Sequence, residues 1–195
     1  MTAEELLERY AAGERDFSGI RLRGAFLNNA ELTEINLSGA DLNGADLSEA
    51  RLIRANLSNS KLCGAILSGV YFTGANLSKA NLRGANLQDS GIFDANFTEA
   101  ILDGAALGGE ETAVIQGTNF DKASFRGAMF ILIVLTESSF KGAFFDGASF
   151  YDSDFWNSDL TGASFKGCHL TFPKYIPPNT GYLILPDGQM LGEKK

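Results

Sequence analysis

Ala40-Asp41-Leu42-Asn43-Gly44-Ala45-Asp46-Leu47-Ser48-Glu49 is one five-residue phrase written twice: a small residue, a polar one, a large apolar one, then two polar or glycine positions. Followed outward in both directions, the phrase places 31 apolar residues, nearly all Leu or Phe, five positions apart. The register runs from Phe17 through Leu22, Leu27 and Leu32 to Leu107. It then slips by three residues and resumes at Ile115 and Phe120, continuing to Leu170. Neither a helix, with 3.6 residues per turn, nor a strand, alternating every two, keeps each fifth side chain on one side. A short strand plus a corner does. With Ala25 and Leu27 inward, Phe26 between them points outward and Asn28-Asn29 make the turn. Repetition winds the chain around an axis.

The number of sides follows from the outward positions. Gly24, Gly44, Gly64, Gly84 and Gly104 recur every twenty residues, as do Asn36, Asn56, Asn76 and Asn96. Twenty is four fives, so residues twenty apart stack in a four-sided coil, about 4.8 Å up the axis. Glycine then marks corners that need a positive φ, and stacked Asn side chains bond along their column. Past Gly104 the glycine column resumes at Gly127, 23 residues on, and Asn119 follows Asn96 with the same offset. Ala113 and Ile115 supply the inward pair of the fourth side. The three extra residues therefore fall within Gly108–Thr112, predicting a small protruding corner loop at 108–112.

Ala40-Asp41-Leu42, Ala45-Asp46-Leu47, Ala75-Asn76-Leu77 and Ala85-Asn86-Leu87 resemble the A(D/N)LXX motif of the pentapeptide-repeat family, over about Asp16 to Thr171. The resemblance implies an all-β solenoid, a right-handed quadrilateral parallel β-helix; 31 repeats on four sides make it about seven to eight coils long. The expected organisation is an N-terminal capping helix over 1–15, the β-helix over 16–172, and a C-terminal cap or tail over 173–195.

Composition agrees with one repeat domain. The 22 Gly and the abundant Ala belong to the repeat rather than to disorder, and no apolar run reaches the length of a membrane span. Met1–Gly13 carries Glu4, Glu5 and Glu8 in place of a basic region followed by an apolar stretch, so no secretory signal is read there and a cytoplasmic location is expected. Cys63 and Cys168, about five coils apart, are too distant to bridge and read as reduced thiols. Net charge is −8 and uneven: residues 16–87 hold six acids and seven bases, residues 88–172 twelve acids and four bases. An acidic second half disfavours direct nucleic-acid binding and attracts basic proteins.

Four large and mostly four small side chains enter each coil, so the shaft is expected to be packed, with no ligand tunnel. Phe takes three of nineteen large positions up to Leu107 but eight of eleven from Phe120 onward. The open strand edges at both ends need covering. Thr2 with Glu5 forms a capping box, and Leu6, Leu7, Tyr10 and Ala11 give the helix behind it an apolar face, the expected N-terminal lid. At the other end Tyr175–Gly181 breaks the beat. Tyr182–Leu185 followed by Pro186-Asp187-Gly188 reads as a strand and turn that either caps the last coil or pairs with a second molecule.

Chemistry is sparse. His169, the single histidine, has no Cys, His or carboxylate at a spacing that suggests a metal or a triad, and no phosphate loop occurs. Neither catalysis, a metal nor a cofactor is expected. What departs from the pattern is surface. Met129, Ile131, Leu132 and Val134 fall at outward positions just above the loop, with Tyr151 and Trp156 one coil further and Phe144 on an adjacent side. A cluster of this size marks a covered or contacting surface, either under a folded-back Tyr182–Leu185 or at a dimer or partner interface. The fourth side is also the least regular, with Arg51, Ile53, Arg54, Tyr71, Phe93 and Asp94 outward, whereas the first is nearly all Asn and Ser. Together with Glu110 and Glu111 of the loop, these residues form the candidate partner-binding set.

The leading expectation is a non-enzymatic rigid scaffold for protein–protein interaction, monomeric or dimeric, acting on a protein partner and not on nucleic acid or membrane. By resemblance, family members that restrain regulators of cell differentiation in photosynthetic bacteria offer one setting, and members that mimic duplex DNA to modulate a type II topoisomerase such as gyrase offer an alternative. The slight basic excess of the first half and the lack of a C-terminal dimerisation helix fit the alternative poorly. A purely structural role as an assembly spacer is the third reading.

Overall fold

The structure, a computed structural model, describes residues 1–171 and 183–191. Its unit is the corner. The amide of Ala25 donates to the Leu22 carbonyl at 3.2 Å, and Gly24, third residue of that four-residue turn, has φ +63°. A positive φ at this place is the requirement of a type II turn. Glycine meets it freely; Glu49 at φ +58°, Arg54 at +55° and Leu132 at +50° meet it under strain.

Between corners each side contributes one outward residue to a parallel bridge. Eight levels stack on the first side: Asp16, Asn36, Asn56, Asn76, Asn96, Asn119, Ser139 and Asp159. The second side runs from Arg21 through Asp41, Lys61 and Asn81 to Ser164. The third begins at Phe26, Asp46, Ile66 and Asn86 and continues through Ala106, Met129, Ser149 and His169. The fourth holds Glu31, Arg51, Tyr71 and Gly91, then Val114, Val134 and Asp154. The four-sided geometry read from the twenty-residue spacing is thus the geometry of the molecule.

Most sides are single bridges. Longer ladders form on the third side and its corner with the fourth, where β1 (Asn86–Gln88), β3 (Ala106–Gln116), β4 (Met129–Thr136), β5 (Ser149–Tyr151) and β6 (His169–Thr171) stack in parallel, with β2 (Ile92–Phe93) also on β3. On the first side Asn56 Nδ2 donates to Asn36 Oδ1 at 3.2 Å, and each Oδ1 also accepts a backbone amide two residues on, as Asn36 does from Ser38 at 3.1 Å. The stacked amide column forms over Asn36, Asn56 and Asn76, where Asn76 Nδ2 donates to Asn56 Oδ1 at 3.4 Å.

The large residues of the five-residue beat from Phe17 to Phe165 are no more than 6% exposed. In the second half the rings stack level on level: Phe120 on Phe140 at 4.9 Å, Phe125 on Phe145 at 5.0 Å, Phe130 on Phe150 at 4.5 Å. Below, α1 (Ala3–Ala11) closes the shaft. Its capping box is present, Leu6 is fully buried, and the Tyr10 hydroxyl donates to the Thr33 carbonyl at 2.9 Å. Ala11, expected on the apolar face, is exposed.

The inserted residues differ in form from the expected corner loop. β3 stays extended across them; Gly108 pairs with Ile131 and Ala113 with Ile133, so five residues on β3 span two on β4. The three extra residues are a bulge inside a continuous strand, with Glu110, Glu111 and Thr112 exposed while Gly108 and Gly109 are buried. Burial dictates glycine there: a Cβ on Gly108, at φ +95°, would overlap the Ile131 carbonyl oxygen, and one on Gly109 would overlap Asp89 Oδ1.

At the C-terminal end β7 (Leu183–Ile184) and β8 (Met190–Leu191) make an antiparallel pair around the Pro186–Gly188 turn. Ile184 bridges Ser164, and the Gly167 amide donates to the Pro186 carbonyl at 2.8 Å. The segment therefore caps the last coil on the second side. Its described residues, 183–191, do not fold back over the cluster at Met129–Val134 on the third and fourth sides. Tyr175–Gly181 and Tyr182 fall outside the described residues. Cys63 and Cys168 are both free.

Candidate functional site

The fourth side owes its shape to one missing side chain. Its column carries Glu31, Arg51 and Tyr71 below and Val114, Val134 and Asp154 above, but Gly91 in the middle. A groove of about 370 Å³ opens at that level, walled by Tyr71, Phe93 and Val114 and edged by Glu49, Asp89 and Glu111. Tyr71, Phe93 and Val114 are 47%, 37% and 40% exposed. Glu49 and Asp89 sit on the corner between the third and fourth sides, two coils apart, each at a positive φ that turns its carboxylate outward; Glu111 hangs over them from the bulge.

Charge sharpens the picture. Several acids elsewhere sit one coil from a base: Asp103 from Arg83 at 3.2 Å, Asp146 from Arg126 at 3.5 Å, Asp159 from Lys141 at 3.1 Å. Burial alone would raise the Asp159 carboxyl, but hydrogen bonds from Thr161 and Lys141 outweigh it and hold the group below its ordinary range. Among the described residues no ion pair involves Glu49, Asp89 or Glu111. The groove is a place where three carboxylates and two aromatic rings meet without a cation between them.

The residues singled out from sequence divide into groups. Tyr71, Phe93 and Glu111 meet in the groove. Arg51 borders it, pairing with Glu31 at 3.1 Å and lying over the Tyr71 ring at 5.3 Å. Ile53, half-buried, and Arg54, paired with Glu34 at 3.2 Å, lie towards the first side, as does Asp94 against Gly117. Glu110 is exposed on the bulge outside the groove. Met129, Ile131, Leu132, Val134, Tyr151 and Trp156 form a separate area above the bulge; Met129, Tyr151 and Trp156 are 44%, 44% and 56% exposed, and Ile131, Leu132 and Val134 half-buried. Phe144, on the second side, lies under the Arg126 guanidinium at 4.6 Å. Sequence reasoning missed Glu49, Asp89, Gly91 and Val114. The signal for them was present, since Gly91 occupies a bridge position where other glycines occupy corners.

Among the described residues, no group of three or more His, Cys, Asp or Glu side chains is placed to hold a metal ion, and no helix is long and apolar enough to cross a membrane. A four-sided parallel solenoid wound from five-residue repeats is a repeat scaffold. Eight copies of the family model Pentapeptide repeats match residues 16–52, 50–89 and 133–170, and the chain belongs to that family. Among solved structures it is similar to trypsin-treated QnrB1, a plasmid-mediated fluoroquinolone resistance protein, at 21% identity over 79% of each chain with a TM-score of 0.69, a likeness of fold. HetL of Nostoc sp. PCC 7120, a pentapeptide-repeat protein involved in heterocyst differentiation regulation, aligns at 25% identity over 98% of this chain and 100% of its own, TM-score 0.38. The pentapeptide-repeat protein alr5209 of Nostoc PCC 7120 aligns at 40% identity over 54% and 79%, TM-score 0.42. No curated protein sequence matches the chain.

Proposed function

We propose that this protein is a non-enzymatic scaffold that binds a protein partner through its fourth side, the adjoining bulge and the apolar area above it. The observation that carries this reading is the contrast between sides. The first binds its lower levels to one another through an amide ladder from Asp16 to Asn76, whereas the fourth exposes aromatic rings beside carboxylates that have no ion-pair partner among the described residues. Exposed aromatic residues and unmatched charge on a rigid frame are what interfaces use for anchoring and discrimination. The groove is shallow and open, so reagents bound there stay in water; that suits recognition better than acid–base chemistry. Affinity capture from the native cell extract tests the reading. Wild type is expected to retain proteins that a Glu110→Ala/Glu111→Ala/Trp156→Ala variant loses, and equal capture by both overturns it.

The acidic excess of residues 88–172 supports a second reading, a DNA-mimicking modulator of a type II topoisomerase. The bases paired with Asp103, Asp146 and Asp159 weaken it, because they neutralise part of the field a phosphate mimic needs. Gyrase supercoiling at micromolar protein decides: inhibition or altered drug sensitivity supports mimicry, and no change removes it.

A further inference from the structure

We propose that the notch at Gly91 is a receptor for one arginine side chain presented by a basic segment of a partner protein. This deepens the scaffold reading and rests on it. The notch has the size and the chemistry for such a side chain. About 370 Å³ accommodates a guanidinium with its three-carbon stem, and the walls divide into an apolar part, Tyr71, Phe93 and Val114, and a charged rim, Glu49, Asp89 and Glu111. An arginine uses both parts: its stem covers apolar surface, its plane stacks on aromatic rings, and its donors fork onto carboxylates.

The protein's own contacts show the stacking half of this at work, since the Arg51 guanidinium lies 5.3 Å from the Tyr71 ring centre. Arg51 makes its ion pair one coil lower, with Glu31 at 3.1 Å, and none with the rim acids. The rim is also pre-formed. Asp89 packs against the backbone of Gly109, so the bulge that carries Glu111 is seated on the corner that carries Asp89. Three acids held around a rigid notch exclude nucleic acid and anionic ligands as occupants. Arginine is preferred over lysine because two of the wall residues are aromatic and the guanidinium is the less strongly hydrated cation.

Gly91 also supplies a clean way to close the notch. Its φ is not positive, and a Cβ there meets Phe93 at 3.6 Å and Tyr71 at 3.7 Å, ordinary contact distances. Valine already stands at the equivalent positions 114 and 134. Gly91→Val therefore fills the site without opposing the fold.

The test is an amide-shift titration of the full ¹⁵N-labelled chain with three blocked tripeptides, acetyl-Gly-Arg-Gly-amide and its lysine and citrulline counterparts. The expected result is saturable shifts at Gly91, Phe93 and Val114 with the arginine peptide, weaker binding of lysine and none of citrulline. Glu49→Gln/Glu111→Gln should weaken arginine binding at least about tenfold by removing two charge-assisted acceptors. Gly91→Val should abolish it while keeping the wild-type melting temperature. No saturable shift at these residues, equal binding of the lysine or citrulline peptide, or unchanged binding by Gly91→Val overturns the proposal. The two readings fail separately. If the peptides do not bind while partner capture still depends on Glu110, Glu111 and Trp156, the notch falls and the scaffold stands; equal capture by the triple variant sinks the scaffold itself.

Discussion

At the scale of single residues, the inward small position is where two chemically similar serines have opposite consequences. Ser138 stands where Ala55, Ala75 and Ala95 stand in earlier coils, 3% exposed, and its Oγ accepts the Thr118 amide at 3.2 Å while donating to the Thr136 carbonyl at 2.9 Å. Ser158 repeats the arrangement one coil up, taking the Ser138 amide at 3.1 Å. At the alanine corners the corresponding amide bonds the carbonyl three residues back, as Ala75 does to Phe72 at 2.9 Å. Ser60 is equally buried, at 1% exposed, but its Oγ has no partner among the described residues. Removing a needed acceptor costs about 1–3 kcal/mol, whereas removing an unsatisfied hydroxyl costs nothing or gains. Ser138→Ala should therefore lower the melting temperature by several degrees and Ser60→Ala leave it level or raise it; calorimetry showing the same sign for both would contradict the hydroxyl ladder. A second residue-scale prediction concerns Cys168, whose thiol is pushed up to about 12, mainly by burial and further by nearby Asp146. Its Sγ lies 2.9 Å from the Phe145 carbonyl. A raised thiol pKa means less thiolate, on the order of one part in ten thousand at pH 8, so iodoacetamide should modify Cys168 only as the chain unfolds. Rapid alkylation of Cys168 in the folded protein would show that the thiol is neither buried nor raised.

At the scale of elements, the bulge in β3 and the helix α1 show what a sequence reveals and what it hides. The bulge was legible to the residue because a register slip in a strict repeat has one solution: Gly104 to Gly127 is a coil plus three, and Gly108–Ala113 against Ile131–Ile133 is where the structure spends them. Its extended form was not legible, since nothing in Gly-Gly-Glu-Glu-Thr distinguishes a loop from a strand that keeps its ladder on both flanks. The notch at Gly91 escaped notice for a different reason. The beat is carried by inward residues, and an absent outward side chain leaves Ile92 and its neighbours in step. The tail's seat on the Ser164 column was equally hidden, because the repeat that sets register ends before it. The bulge also yields a test. Deleting Glu110–Thr112 restores twenty-residue spacing and should leave a folded shaft with a melting temperature close to wild type, while Gly108→Ala, which drives a Cβ into the Ile131 carbonyl, should cost well over the ~0.5 kcal/mol that bounds most surface changes. A deletion more damaging than Gly108→Ala would mean the bulge braces the corner and is not merely inserted into it. For α1, Leu6→Ala should remove about 2–5 kcal/mol, read by denaturant melts, because Leu6 is wholly buried against the first coil.

At the scale of the whole molecule, coils touch only their neighbours, so stability is a chain of local terms rather than one shared core. The two halves differ in those terms. The first is filled by Leu and Ala, so that removing one side chain disturbs the coil it belongs to and those directly above and below. In the second, Phe145 alone has ring centres of Phe125, Phe130, Phe140, Phe150, Phe155 and Phe165 within 5.9 Å, which ties three levels together. Aromatic pairs add about 0.5–1.5 kcal/mol each beyond the area they bury. Two truncations of similar cost then have different reach. Leu62→Ala, at about 2–5 kcal/mol, should lower hydrogen-exchange protection at Leu42, Leu62 and Leu82 and spare Phe125 and Phe145. Phe145→Ala, at about 3–5 kcal/mol, should lower protection from Phe120 to Phe165 together and spare Leu42. The amides to follow are those bonded up the axis, such as Leu42 to the Lys61 carbonyl and Phe125 to the Phe144 carbonyl. If either variant loses protection evenly along the shaft, the solenoid unfolds as a single unit and the aromatic half confers no separate rigidity. If protection splits as expected, the rigid half is the one that begins with the bulge and rises through the exposed area at Met129, Tyr151 and Trp156, so the candidate docking face is held on its stiffest support.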